Sequence, residues 1–143
     1  MSLLVDDAGI AALLGRVKRI ALVGASANPA RAAHEVMGFL MRRGFEVVPV
    51  NPALAGETLM GQAVVATIGE AGAVDMVDVF RRADAVPEIV DDAISAGVPA
   101  LWLQLGVIHE AAAARAAAAR AVAAGMDVVM DRCPKQEIMR LKL

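Results

Sequence analysis

Arg19-Ile20-Ala21-Leu22-Val23-Gly24-Ala25-Ser26-Ala27-Asn28-Pro29-Ala30-Arg31 carries an apolar run into a glycine turn and on into a segment opened by proline. The uninterrupted apolar residues 20–23 suit a strand buried on both faces of a parallel sheet. The turn has the shape of a phosphate site, in which backbone N–H groups and the dipole of the following helix hold negative charge. It is not the dinucleotide fingerprint G-x-G-x-x-G, which would need glycine where Ser26 and Pro29 stand. The ligand implied carries phosphates without being NAD, and a plain helix N-cap is the competing reading of Gly-Ala-Ser.

Outward from this turn, residues 30–43 read as a helix with Val36, Met37, Leu40 and Met41 on one side and Gly44 as its stop. Residues 45–50 form a second strand whose Pro49 predicts a free edge or an early end to its ladder, and Asn51-Pro52 closes it. The pattern then weakens through glycines 56, 61 and 69, with a short strand expected at Val64-Val65 and a helical turn at Ile68 to Ala71. Strands follow at 73–80, 100–105 and 127–130, and helices at 84–95, 110–124 and from Pro134 through Arg140. A short leading helix at 6–16 has Asp6 or Asp7 as its cap. Strands alternating with helices over short loops imply right-handed crossovers, hence an α/β fold. The expectation is a single domain with a Rossmann-like, doubly wound parallel sheet in three α/β/α layers, its core at about residues 17–140.

At 143 residues and 58% hydrophobic, the chain is long enough to bury one real core. A net charge of −2 leaves no broad basic footprint for nucleic acid, so any anion site is local. Apolar runs stop well short of the roughly 18 residues of a membrane span, and no basic segment followed by an apolar one opens the chain, so a soluble, cytoplasmic protein is expected. The single Cys133 excludes an internal disulfide and a multi-cysteine zinc site, and two distant histidines leave no metal centre expected.

In an open α/β sheet the ligand lies beyond the carboxyl ends of the strands, so residues just after each strand are the candidates. After the first come Gly24, Ala25, Ser26 and Asn28, with Arg31 placed to add charge. After the second stands Asn51 rather than the acid that would bind a ribose hydroxyl, which counts against NAD. Arg81-Arg82 meet a phosphate or form a solvated helix start. Asp75 and Asp78, three apart on a strand, point to opposite faces and are no catalytic pair; Asp78 is the better candidate for anchoring a loop. Gln104-Leu105-Gly106 offer amide and backbone contacts to an elongated ligand. His34 and His109 are read as surface or capping residues, and Trp102 as core. Cys133, between Arg132 and Lys135, is either reactive or a buried, inert thiol.

Five motifs together resemble the standalone CoA-binding domain family, itself similar to the N-terminal domain of the succinyl-CoA synthetase α-subunit. They are Ala21 to Pro29, Val48-Pro49-Val50-Asn51-Pro52, Val74 to Arg82, Leu101 to Val107 and Met130-Asp131-Arg132-Cys133-Pro134-Lys135, covering about residues 17–140. The resemblance implies a Rossmann fold with coenzyme A as its ligand. It implies that Gly24, Ser26, Asn28 and Arg31 hold the diphosphate and that Val50, Asn51 and Pro52 line the nucleotide. Val79, Phe80 and Arg81 would flank adenine and pantetheine, with Gln104, Leu105 and Gly106 further along the edge and Val86 completing the cofactor-binding set. CoA carries a ribose 3′-phosphate, beside which a carboxylate would repel and arginines attract.

The synthetase's phosphohistidine belongs to a domain beyond this one, so no catalytic residue is assigned. The first expectation is a protein that binds CoA or an acyl-CoA without catalysis of its own. The alternative is an enzyme component for CoA thiol/disulfide or acyl-transfer chemistry, using Cys133 or a partner subunit. An NAD-type oxidoreductase ranks below both, and homo-oligomerisation through apolar helices such as 110–124 stays open beside their burial in the monomer.

Overall fold

A computed structural model describes residues 2–104 and 112–143. Its centre is a five-stranded parallel sheet built from β1 (Arg19–Val23), β2 (Glu46–Val50), β5 (Met76–Val79), β6 (Ala100–Leu103) and β7 (Asp127–Met130) in the order β2-β1-β5-β6-β7. A separate two-stranded hairpin is made by β3 (Thr58–Leu59) and β4 (Gln62–Ala63). From β1 the chain first builds outward to β2, then returns to the other side of β1 and builds outward through β5, β6 and β7. The strand order therefore reverses between β1 and β5, and a crevice must open beyond their carboxyl ends.

Side-chain alternation divides the apolar residues of these strands between two cores. Val23, Val77, Leu101 and Val128 pack beneath α3 (Val86–Ser95) and α4 (Ala112–Ala123). Ile20, Leu22, Met76, Trp102 and Val129 pack beneath α1 (Asp7–Arg16), α2 (Ala32–Arg42) and α5 (Pro134–Arg140). Strands enclosed on both faces need apolar residues at every position, which is why they read as unbroken runs. The expected single-domain, doubly wound fold is what forms.

The edge expectation for β2 holds for a geometric reason. Val50 O accepts from Gly24 N at 2.9 Å, so residue 50 turns its backbone groups towards β1. Alternation turns those of Pro49 outward, where its missing N–H costs the ladder nothing and its carbonyl accepts from Val65 N at 3.1 Å. Val64-Val65 is not a strand: Val65 makes one isolated bridge to Val50. The extended backbone precedes it, in the β3–β4 hairpin. Its turn is Met60-Gly61, both at positive φ (49° and 79°), and a methionine in the left-handed region is not a turn signal that sequence offers.

Other ends shift by a few residues. The leading helix takes Asp6 as its cap, with Oδ1 accepting from Gly9 N at 2.8 Å, and the segment expected at 30–43 is helical from Ala32 to Arg42. The strand expected from residue 73 begins at Met76, after Asp75 has accepted from the backbone N–H groups of Lys18 and Arg19, both at 2.9 Å. Asp75, held below the usual carboxylate range by those bonds, is thus the loop anchor. Asp78 is not. It is fully buried, lies beside Leu22 and Trp102 in the register, and neither carboxylate oxygen has a hydrogen-bond partner among the described residues.

Burial without a partner pushes the Asp78 carboxyl well above 3.8, so the folded protein holds a proton there that the unfolded chain gives up. Stability from this site is complete in acid and falls as pH rises above about 4, by up to about 1.4 kcal/mol per pH unit until the folded group ionises. Asp78→Asn removes that loss. Its urea midpoint, compared with the parent's between pH 4 and 7, gains progressively towards pH 7.

Candidate functional site

Gly24 leaves β1 at φ +90°, and a Cβ at this position would sit 2.6 Å from the Phe80 carbonyl oxygen. Conformation and space both require glycine here, and the close approach joins the ends of β1 and β5 at the reversal of strand order. The turn beyond shapes itself: Ser26 Oγ accepts from Asn28 N at 3.1 Å, and Asn28 Oδ1 accepts from Ala30 N at 3.0 Å. Both side chains spend acceptors inward and keep donors, a hydroxyl hydrogen and an amide NH2, for something else.

The helix that follows has no side-chain cap, since its N-cap residue is Arg31. The first-turn N–H groups of Ala32 and Ala33 therefore face a cleft of about 710 Å3, together with Gly24 to Asn28, Arg31, Phe80, Arg81 and Arg82. Arg31 and Arg81 make no ion pair among the described residues, and Arg82 reaches Asp84 only at 3.7 Å. Uncapped amides and under-committed guanidiniums around one space make an anion site. The tie between the β1 and β2 loops is Asn51. Its Nδ2 donates to Ala25 O at 2.8 Å and its Oδ1 accepts from Ala53 N at 2.8 Å, so its side chain positions the loop.

The cleft continues in both directions through Arg81. One arm, of about 280 Å3, runs over Val50 and Pro52 to Thr67, Glu88 and Asp92. The other, of about 610 Å3, runs past Phe80 to Gln104, Cys133 and Lys135. Thus Gly24, Ala25, Ser26, Asn28, Arg31, Val50, Asn51, Pro52, Phe80, Arg81 and Gln104 gather along one sheet edge. Val79 and Val86 are fully enclosed in the core, so no side-chain surface of theirs reaches a ligand. Leu105, Gly106 and His109 lie outside the described residues.

The strand-by-strand reading named Arg82 beside Arg81 and Cys133 as a candidate thiol, but missed Thr67, Glu88 and Asp92 and gave Lys135 no place beside the groove. Glu88 and Asp92 carried a usable signal, because residues four apart share one helix face. Cys133 follows β7 as Gly24 follows β1, so the sheet-edge rule extended to the last strand would have included it.

Fold and groove together define a doubly wound α/β domain with an arginine-lined crevice at its switch point. Residues 18–139 match the family described as CoA binding domain, and the chain belongs to that family. It is 34% identical over 131 residues to the uncharacterized protein YneT of Bacillus subtilis (strain 168), covering 91% of this chain and 92% of that one. A hypothetical protein from Pyrococcus horikoshii OT3 superposes with a TM-score of 0.87 at 32% identity, over 100% of this chain and 98% of that chain. A dinucleotide forming acetyl-coenzyme A synthetase 1 of Ca. Korarchaeum cryptofilum matches with a TM-score of 0.68 at 26% identity, over 78% of this chain and 25% of that much longer one.

Replacing Gly24 tests the junction on which the groove is built. Gly24→Ala meets the Phe80 backbone and a left-handed φ together, and should lose about 1–3 kcal/mol of stability. Urea unfolding measures it, and a change within a few tenths of a kcal/mol would show that the two strand ends separate freely.

Proposed function

We propose that this chain, as one whole domain, binds coenzyme A or an acyl-CoA along the carboxyl edge of its sheet, as a cytoplasmic binding protein with no catalysis of its own. What carries this reading is the uncommitted donor set around the Gly24 turn, in a member of the CoA binding domain family. The diphosphate lies over the turn between Ser26, Asn28, Arg31 and the first amides of α2. The arm with Glu88 and Asp92 suits the base, whose exocyclic amine a carboxylate can accept, and it repels phosphate. The 3′-phosphate therefore turns towards Arg81 and Arg82, and the pantetheine arm runs under Phe80 towards Gln104. A CoA thiol handler is favoured as a second reading by the position of Cys133 in the latter arm.

Calorimetry with CoA, acetyl-CoA, NAD and ATP, at protein well above micromolar, separates these ligands. Heat is expected with CoA or acetyl-CoA and little with NAD; no heat with either CoA species overturns the proposal. Arg81→Ala should weaken the CoA affinity by about tenfold or more, the scale of one charge-assisted hydrogen bond of roughly 1.5–3 kcal/mol. The variant's affinity should also fall less steeply with added salt than the parent's.

A further inference from the structure

The arm of the groove that ends at Cys133 is continuous with the phosphate cleft, since Ala32, Phe80, Arg81 and Arg82 line both. Its wall includes Gln104, which is only 7% exposed and whose Oε1 has no hydrogen-bond partner among the described residues. A buried acceptor left unmatched is costly, so this one is explained by a donor that arrives with a ligand. The pantetheine arm of CoA is such a ligand: amide N–H groups lie along it, between the diphosphate and a terminal sulfur. With the diphosphate at Ser26 and an amide at Gln104, the sulfur end travels towards Cys133, which is buried at 7% exposure and lines the end of this arm.

We infer that Cys133 exchanges with the disulfide form of CoA and holds one CoA on the protein as a mixed disulfide, an inference that rests on the CoA reading above. The lining of the arm favours this chemistry over acyl transfer. Its described residues include no histidine, and the carboxylate among them, Glu35, is committed to an ion pair with Lys135. Acyl chemistry at a thiol needs a base and a leaving-group acid in position, whereas exchange needs only a thiolate in line with an S–S bond. Cys133 gives its proton to solvent, and its Sγ attacks one sulfur of the CoA disulfide. The Sγ–S bond forms as the CoA S–S bond breaks, and the departing CoA thiolate takes a proton from solvent. The protein thiol is oxidised, one CoA sulfur is reduced, and no other oxidant enters.

Since Cys133 is the chain's single cysteine, intact mass under denaturing conditions reads the adduct without ambiguity. The protein is incubated with CoA disulfide or with hydroxyethyl disulfide, which has no nucleotide, and reduced CoA is titrated calorimetrically in parallel. One CoA adduct is expected, forming at least about tenfold faster than the hydroxyethyl adduct at equal concentration, because binding raises the effective concentration of the sulfur. Adenosine 3′,5′-bisphosphate, which occupies the nucleotide half and has no sulfur, should slow only the CoA reaction. The adduct should be absent from Cys133→Ala; should that variant not fold, the rate ratio in the parent protein decides alone. Heat with reduced CoA but no adduct, or equal rates with the two disulfides, overturns the exchange and leaves the binding reading standing. Neither heat nor adduct overturns both.

Discussion

The approach of Gly24 to the Phe80 carbonyl is the constraint on which the rest of the groove depends. A side chain at residue 24 would hold the ends of β1 and β5 apart where the strand order reverses. With glycine there, the loop after β1 folds back under Val50 O, and Asn51 ties it to the loop after β2. Three strand ends are thereby fixed relative to one another by backbone contacts, before any ligand is present. Preorganisation of this kind means that binding energy need not be spent on ordering the loop.

Charge gives the groove a direction. Guanidiniums of Arg31, Arg81 and Arg82 surround its middle, Glu88 and Asp92 stand at one end, and Cys133 and Gln104 stand at the other beside the mutually paired Glu35 and Lys135. A symmetrical dinucleotide has similar nucleosides at both ends and finds no matching symmetry here. The proposed ligand, with a base at one end, phosphates in the middle and a long, weakly polar, sulfur-tipped tail, follows the same order. The sheet edge supplies this asymmetry, because each strand contributes whatever residues its own loop carries.

Much of this was legible in the sequence, for reasons that particular residues explain. Residues 20–23 and 100–103 had to be apolar throughout because helices cover both faces of the sheet, so composition alone marked them as interior strands. Pro49 marked the edge because only an outward-facing N–H can be dispensed with. The hairpin around Met60-Gly61 was not legible, since its left-handed methionine is imposed by context. Nor was the burial of Asp78. Alternation gave the face to which it points, but the covering of that face by Trp102 and its neighbours is a tertiary fact. Within the site, the Gly24 turn was readable as local chemistry, and the place of Cys133 was open to the same sheet-edge reasoning once the strand at 127–130 joins the parallel sheet.

The segment that carries Cys133 is held as firmly as the Gly24 turn. Trp102 Nε1 donates to Arg132 O at 2.8 Å, which fixes the backbone immediately before the thiol to the middle of the core. The Arg132 guanidinium donates to Glu137 Oε1 at 2.9 Å and to Val5 O at 3.2 Å, and Arg140 joins Glu137 to Asp7. These arginines hold the Glu137 carboxyl below its usual range despite its burial, so the network is intact at neutral pH. Asp131, at φ +56°, turns the chain sharply out of β7 into this arrangement. A thiol on so constrained a turn cannot travel to find a partner. Any disulfide it meets must be delivered along the groove, and on the proposed reading selectivity for CoA resides in the arginines and the Gly24 turn at the far end, not in the cysteine.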